Sequence, residues 1–395
     1  MKIKRVKAEK IYNSRKEPTI CIFVETENGS FSASAPGGKS KGKYETPSYK
    51  ESLEKDIISV NNYSKKLDKI ELVEFKDLEK VEKIVELGAN SLFALEAALL
   101  KAMAAKYRYP VWEFLNDRAR KFPVPVGNCI GGGLHTRKTL GKKPNFQEFL
   151  ILPRARNFSD SVFLMNKAWE ICGDRLRLRR ARGKLNDEGA WSTSLNDENA
   201  LEVMQETSEE LKLESDKKIG IGIDVAASEF YTGFVYDYEN PRKALNHIGQ
   251  INYISELTDK FLISYIEDPL NEESFEDFGL LRESITRTHS CLIVGDDLTV
   301  TNIERLKKAL QKRSINSIIV KPNQNGSLLE VKRIIDFAKK YNIATIMSHR
   351  SGETMDNILA DLAFGFQCDL IKTGIHGKER EVKLNRLIQI EKSLG

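Results

Sequence analysis

The hydrophobic pattern of the chain changes character near residue 122. Before that point three short runs, Ile3 to Tyr12, Thr19 to Thr26 and Ser30 to Ala35, carry β-branched and aromatic residues and predict strands. Glu27-Asn28-Gly29 between the last two predicts a hairpin turn, because Asn and Gly accept a positive φ. The stretch Pro36-Gly37-Gly38-Lys39-Ser40-Lys41-Gly42-Lys43 has no apolar period and predicts a mobile loop. Helical patterns follow. The clearest, Asn90 to Tyr107, is rich in Ala and Leu and apolar nearly all round, so it should be buried. This small α+β unit should end near Lys121.

From Phe122 onward, short apolar runs alternate with amphipathic helical segments, the sign of a parallel sheet. The runs are Lys218–Asp224, Phe261–Glu267, Cys291–Asp296, Ile315–Lys321, Ile343–Ser348 and Asp369–Lys372. Ile303–Gln311 and Ser327–Lys340 have helical spacing. Roughly 270 residues of this kind match a (β/α)8 barrel, typically about 250 residues. An open doubly wound sheet is the competitor, but no GxGxxG follows the first strand. The expected organisation is therefore α/β: an N-terminal α+β unit over 1–121 and a barrel over 122–395.

Composition adds limits. Of 395 residues, 41% are hydrophobic and 30% charged, a globular balance. A net charge of +5 calls for no specific nucleic-acid partner and suits an anionic small molecule equally well. Cys21, Cys129, Cys172, Cys291 and Cys368 show no CxxC spacing, so they are expected to be reduced packing residues in a cytoplasmic protein. No apolar stretch is long enough to span a bilayer and no signal peptide is expected.

The chemistry lies at the ends of the apolar runs. In order they finish on Asp224, Glu267, Asp296, Lys321, then Ser348-His349-Arg350-Ser351, then Lys372. If all barrel strands are parallel, these groups converge on one face. Three clustered carboxylates repel one another unless a cation joins them, and all-oxygen ligands favour Mg²⁺ over Zn²⁺. Lys321, beside a divalent ion and a second lysine, should have a depressed pKa and could act as a general base. Arg350 and Ser351 offer a fork and a hydroxyl to a phosphate. Any one of these carboxylates alone could be a helix N-cap, but six polar strand ends in succession point to a site. His247, His289 and His376 lie in polar segments and read as partnerless surface residues.

With their neighbours, these residues resemble the enolase family over nearly the whole chain. The resemblance rests on Asn13-Ser14-Arg15-Lys16-Glu17-Pro18-Thr19, Asn145-Phe146-Gln147-Glu148-Phe149, Asn186-Asp187-Glu188-Gly189 and Asp224-Val225-Ala226-Ala227-Ser228-Glu229-Phe230. It continues through Ile266-Glu267-Asp268-Pro269, Gly295-Asp296-Asp297-Leu298-Thr299-Val300-Thr301-Asn302, Ser348-His349-Arg350-Ser351-Gly352-Glu353-Thr354 and Ile371-Lys372-Thr373-Gly374. It implies an enolase-type barrel that dehydrates 2-phosphoglycerate to phosphoenolpyruvate with two Mg²⁺ ions, the second site completed by substrate. Asp224, Glu267 and Asp296 would hold the first ion and Ser40 the second. Lys321 would be the base and Glu188 the acid, with Gln147 and Glu148 near the leaving hydroxyl. His135 and His349 would be site histidines, Arg350 and Ser351 phosphate binders, and Lys372 the partner of the substrate carboxylate.

The resemblance also implies a homodimer, with Cys21 and Gln389 to Ser393 altering its interface ion pairs. Where the family's first loop has small residues, this chain has Lys39 and Lys41, and Arg137, Lys138, Lys142 and Lys143 make the second loop basic too. An enolase-like paralogue acting on a related phospho-acid or phosphonate, and a non-catalytic scaffold, are the competing expectations.

Overall fold

A computed structural model describes residues 1–39, 42–136, 141–215 and 217–395. The N-terminal part is an antiparallel sheet of β1 (Ile3–Tyr12), β2 (Pro18–Thr26) and β3 (Gly29–Ser34), in that order. The helix Ala89–Lys106 packs on it and is buried along most of its length, as its all-round apolar pattern requires.

The second part is a closed barrel of eight strands. These are β4 (Val124–Gly131), β5 (Glu148–Arg154), β8 (Lys218–Asp224), β11 (Tyr265–Glu267), β12 (Leu292–Gly295), β13 (Ser317–Val320), β14 (Ala344–Ser348) and β15 (Leu370–Lys372), with β15 pairing back onto β4. Two small hairpins lie outside this ring: β6 (Arg182–Leu185) with β7 (Trp191–Thr193), and β9 (Tyr236–Glu239) with β10 (Arg242–Leu245). Five of the six barrel runs expected from sequence start one to four residues late; only Lys218–Asp224 agrees at both ends. Phe261 ends the preceding helix, His247–Phe261, rather than opening a strand.

The expectation that all strands run parallel fails at β5. It is antiparallel to both β4 and β8, so the barrel begins strand–strand–helix–helix before settling into strand–helix repeats. The sixteen-residue connection from β4 to β5 holds, among its described residues, only the 3₁₀ turn Gly133–His135 and returns the chain directly to the neighbouring strand. The consequence for the site is that β5 starts at the mouth, with Glu148 paired opposite Asp224.

The barrel interior is layered. Val126, Leu150, Leu152, Tyr265, Val294, Ile319, Ile346 and Leu370 form a dry floor. Two residues further along the same inward faces come Glu148, Glu267, Asp296, Lys321, Ser348 and Lys372. Period-two alternation thus puts an apolar plug directly beneath a polar ring. Among the described residues no helix is long and apolar enough to cross a membrane.

Candidate active site

The polar ring is electrostatically unbalanced. Lys372 Nζ lies 2.8 Å from Glu148, 3.2 Å from Asp224 and 2.8 Å from Glu267. Lys321 pairs closely with Asp296. Four buried carboxylates therefore share two ammonium groups. Burial, together with the neighbouring carboxylates, pushes Asp224 and Glu267 up despite Lys372. For Asp296 burial acts the same way, but Lys321 outweighs it and holds the carboxyl down. Tyr265 donates its hydroxyl to Glu267 at 2.5 Å. Asp296 Oδ1 is buried without a hydrogen-bond partner.

None of the three strand-end carboxylates is a helix cap. The helices after β10, β11 and β12 are entered through Asn246, Ser274 and Asn302. The backbone around the carboxylates is instead strained. Ala226, Asp268, Val300 and Thr301 have φ of 45°, 41°, 43° and 50°. Left-handed non-glycine residues cost of order 1–3 kcal/mol each and gather where function demands a fixed geometry. Asp268 and Asp297, which sequence reasoning did not single out, form a second cluster with Asp296. Asp268 accepts the backbone N–H groups of Asp296 (3.1 Å) and Asp297 (2.6 Å). Burial and the adjoining carboxylates raise Asp297 to about 8. The doubled pairs Glu267-Asp268 and Asp296-Asp297 were the available signal.

These features fit a divalent cation. The donors are hard oxygens, the ring carries excess negative charge, and one buried oxygen of Asp296 lacks a partner.

A second group faces the ring. His135 Nδ1 lies 3.3 Å from Glu148 Oε1 and 3.6 Å from Glu188 Oε2, all three side chains being buried. Burial alone would lower His135, but Glu188 and Glu148 outweigh it and raise it. Burial would raise Glu188, yet His135 and further donors and cations bring it down to about 2. The group sets a carboxylate held low against an imidazole whose hold on its proton is strengthened. His349 is different: burial, then the Arg380 charge, drives it well down, so its ring is neutral.

The third part joins the two halves of the chain. Gly37 and Gly352 exchange backbone hydrogen bonds at 2.7 and 2.8 Å. Ser351 Oγ accepts from Lys39 N at 2.9 Å and from Arg15 Nη1 at 3.2 Å. The Arg350 fork pairs with Glu45 at 3.1 Å, a partner hidden from the sequence in a polar loop.

The structure gathers Gln147, Glu148, His135, Glu188, Asp224, Asp296, Lys321, His349, Arg350, Ser351 and Lys372 around one cleft. Glu267 joins them through Lys372. Ser40, with Lys41, Arg137 and Lys138, lies outside the described residues. Beside Asp296, Lys321 is raised, the touching carboxylate outweighing burial; its expected depression belongs to a site that holds a divalent ion. One expectation is corrected. His247, His289 and His376 are not partnerless, for they meet Asp277 at 2.9 Å, Asp259 at 2.7 Å and the Trp169 ring at 4.7 Å.

A closed barrel with buried carboxylates, lysines and a histidine gathered at one mouth defines a barrel enzyme. Residues 119–395 match the enolase C-terminal TIM barrel domain and residues 3–115 the enolase N-terminal domain. Curated relatives named enolase include those of Natronomonas pharaonis (37% identical, covering 98% of each chain), Picrophilus torridus (34%, 99% of each) and Methanosphaera stadtmanae (35%, 99% of this chain and 97% of the relative). The chain belongs to the enolase family, the lyases of the phosphopyruvate hydratase type.

Proposed function

We propose that this protein interconverts 2-phosphoglycerate and phosphoenolpyruvate in a Mg²⁺-dependent reaction. The observation that carries this reading is the barrel mouth itself, where Lys321 and Lys372 stand on a ring of four carboxylates, facing the His135–Glu148–Glu188 group.

Asp224, Glu267 and Asp296 would hold the first ion, and Ser40 the second together with the substrate. Bound Mg²⁺ would neutralise the carboxylate ring and stabilise negative charge growing on the substrate carboxylate. Lys321 takes the C2 proton. Its base form is favoured when the Asp296 charge is engaged elsewhere, since that contact strengthens the amine's hold on its proton. Lys372 turns from the ring toward the substrate carboxylate, where its charge matters most as the proton leaves. Arg350 and Ser351 bind the phosphate. The C3 hydroxyl departs as water, with a proton delivered from the His135–Glu148–Glu188 group through Glu188. Gln147 orients the hydroxyl, and the neutral His349 lines the wall beside Lys372.

We assign the chain to the cytoplasm, a placing supported by five buried free thiols, and to a homodimer with altered interface ion pairs. Its two units are 1–121 and 122–395.

The test is exchange of the C2 proton of 2-phosphoglycerate in heavy water with Mg²⁺. Wild type should exchange it and Lys321→Ala should not, while Glu188→Gln should exchange without forming phosphoenolpyruvate. Exchange surviving in Lys321→Ala would overturn the assignment of the base.

A further inference from the structure

The turn that carries His135 is held on its donor side by Gly133 N–H to Pro144 O at 3.1 Å and Thr136 N–H to Gly132 O at 3.0 Å, which leaves its own carbonyls to be satisfied. Gly133–His135 is a single 3₁₀ turn without a side-chain cap, and Gly133 sits at φ +42°. Short turns of this kind leave carbonyls without backbone donors. Here two lysines supply them. Lys143 Nζ donates to Gly133 O and, at 3.2 Å, to Thr136 O. Lys39 Nζ donates to Leu134 O at 2.7 Å and lies 3.7 Å from Asp187, the neighbour of Glu188. Lys39 is itself tied down through its backbone N–H to Ser351 Oγ at 2.9 Å.

Read from sequence, these lysines are either solvated residues of variable loops or extra positive charge for a more anionic substrate. Their contacts indicate something else. Lys39 lines the cleft, yet its ammonium is engaged by Leu134 O with Asp187 beside it, and that of Lys143 by two carbonyls of the turn.

We propose that Lys39 and Lys143 are positioning residues that clamp the His135 turn, fixing His135 against Glu148 and Glu188 and joining the first loop, the His135 turn and the Asp187–Glu188 segment into one unit. The proposal deepens the function proposed above and rests on it for its kinetic arm. A lysine is suited to the task because its three donors sit on a long stem and can satisfy two diverging carbonyls. An uncharged side chain of similar length would fill the space and free the turn.

The experiment compares wild type with Lys39→Met, Lys143→Met and Lys39→Arg. Backbone amide exchange over residues 133–136 should quicken about tenfold in each Met variant, the effect of losing one supporting hydrogen bond. With 2-phosphoglycerate, kcat should fall on the order of tenfold or more in the Met variants, because His135 is loosened. KM and its salt dependence should stay close to wild type. Lys39→Arg, which still donates to Leu134 O, should restore most of kcat. A raised KM, a weakened salt dependence and an intact kcat would instead show substrate capture and overturn the clamp. Unchanged exchange in both Met variants would also overturn it. If wild type does not turn over 2-phosphoglycerate, the functional reading fails, and the exchange arm still decides the clamp.

Discussion

Replacing Gly38 by Ala probes, with one methyl group, the corner where Arg350 and Ser351 are proposed to bind the phosphate. A Cβ at Gly38 would lie 2.0 Å from Arg350 Nη2, 2.6 Å from Cζ and 2.7 Å from Nε. Ordinary contact begins near 3.4 Å, so the guanidinium must withdraw by about 1.4 Å or more. Its contacts to Glu45 all measure 3.1 Å, and hydrogen bonds weaken quickly beyond that length. Misplacing a positioned group by about 1 Å costs on the order of 10²-fold in rate. We therefore expect kcat/KM for 2-phosphoglycerate to drop about 100-fold, or about 2.7 kcal/mol of transition-state stabilisation. Most of the loss should appear in KM, because a phosphate binder holds ground state and transition state alike. The clash is with the end of a flexible side chain, so Tm should hold to within about 2 °C. Steady-state kinetics and a thermal melt read both quantities. An unchanged kcat/KM would refute the placement of Arg350, and a large fall in Tm would show that the backbone had moved instead.

Two further perturbations test the buried charges. Glu96 is fully buried, and burial followed by Glu82 raises it well above 4.5. The folded protein keeps a proton that the unfolded chain loses, so stability falls as pH rises above about 4.5. Glu96→Gln keeps an acceptor for Leu328 N–H, so its Tm curve should meet wild type near pH 4.5 and run above it toward neutrality; parallel curves would contradict this. Lys372→Met leaves three carboxylates without their shared cation and should cost about 3 kcal/mol at pH 7 in chelator-treated protein, less at pH 5 where the carboxylates take up protons. Equal urea midpoints for the two proteins at pH 7 would contradict the charge imbalance. All five cysteines are buried, so a thiol reagent should label the native protein slowly and fully only after denaturation; rapid native labelling would place a thiol at the surface.

The strand-end row was legible because period-two burial converts an apolar run ending on a charged residue into a floor with a polar rim. Asp224, Glu267, Asp296, Lys321 and Lys372 all followed from that rule. Glu148 did not, since it opens an antiparallel strand and stands at the start of its apolar run; only family motifs pointed to it. His135 and Glu188 lie on turns between elements, where no period marks them. Glu45 and Tyr265 were missed because their partners are distant in sequence or hidden on an inward face. The close Lys321–Asp296 pair was not legible, because no spacing reveals that contact.

The carboxylate ring and the proposed lysine base above it should act on 2-phosphoglycerate only when Mg²⁺ is bound. Following the absorbance of phosphoenolpyruvate formed from 2-phosphoglycerate, with Mg²⁺ and after chelation, tests it most directly. Turnover should require Mg²⁺ and vanish when the metal is removed. Undiminished turnover in the chelated protein, or none with Mg²⁺ bound, would contradict it.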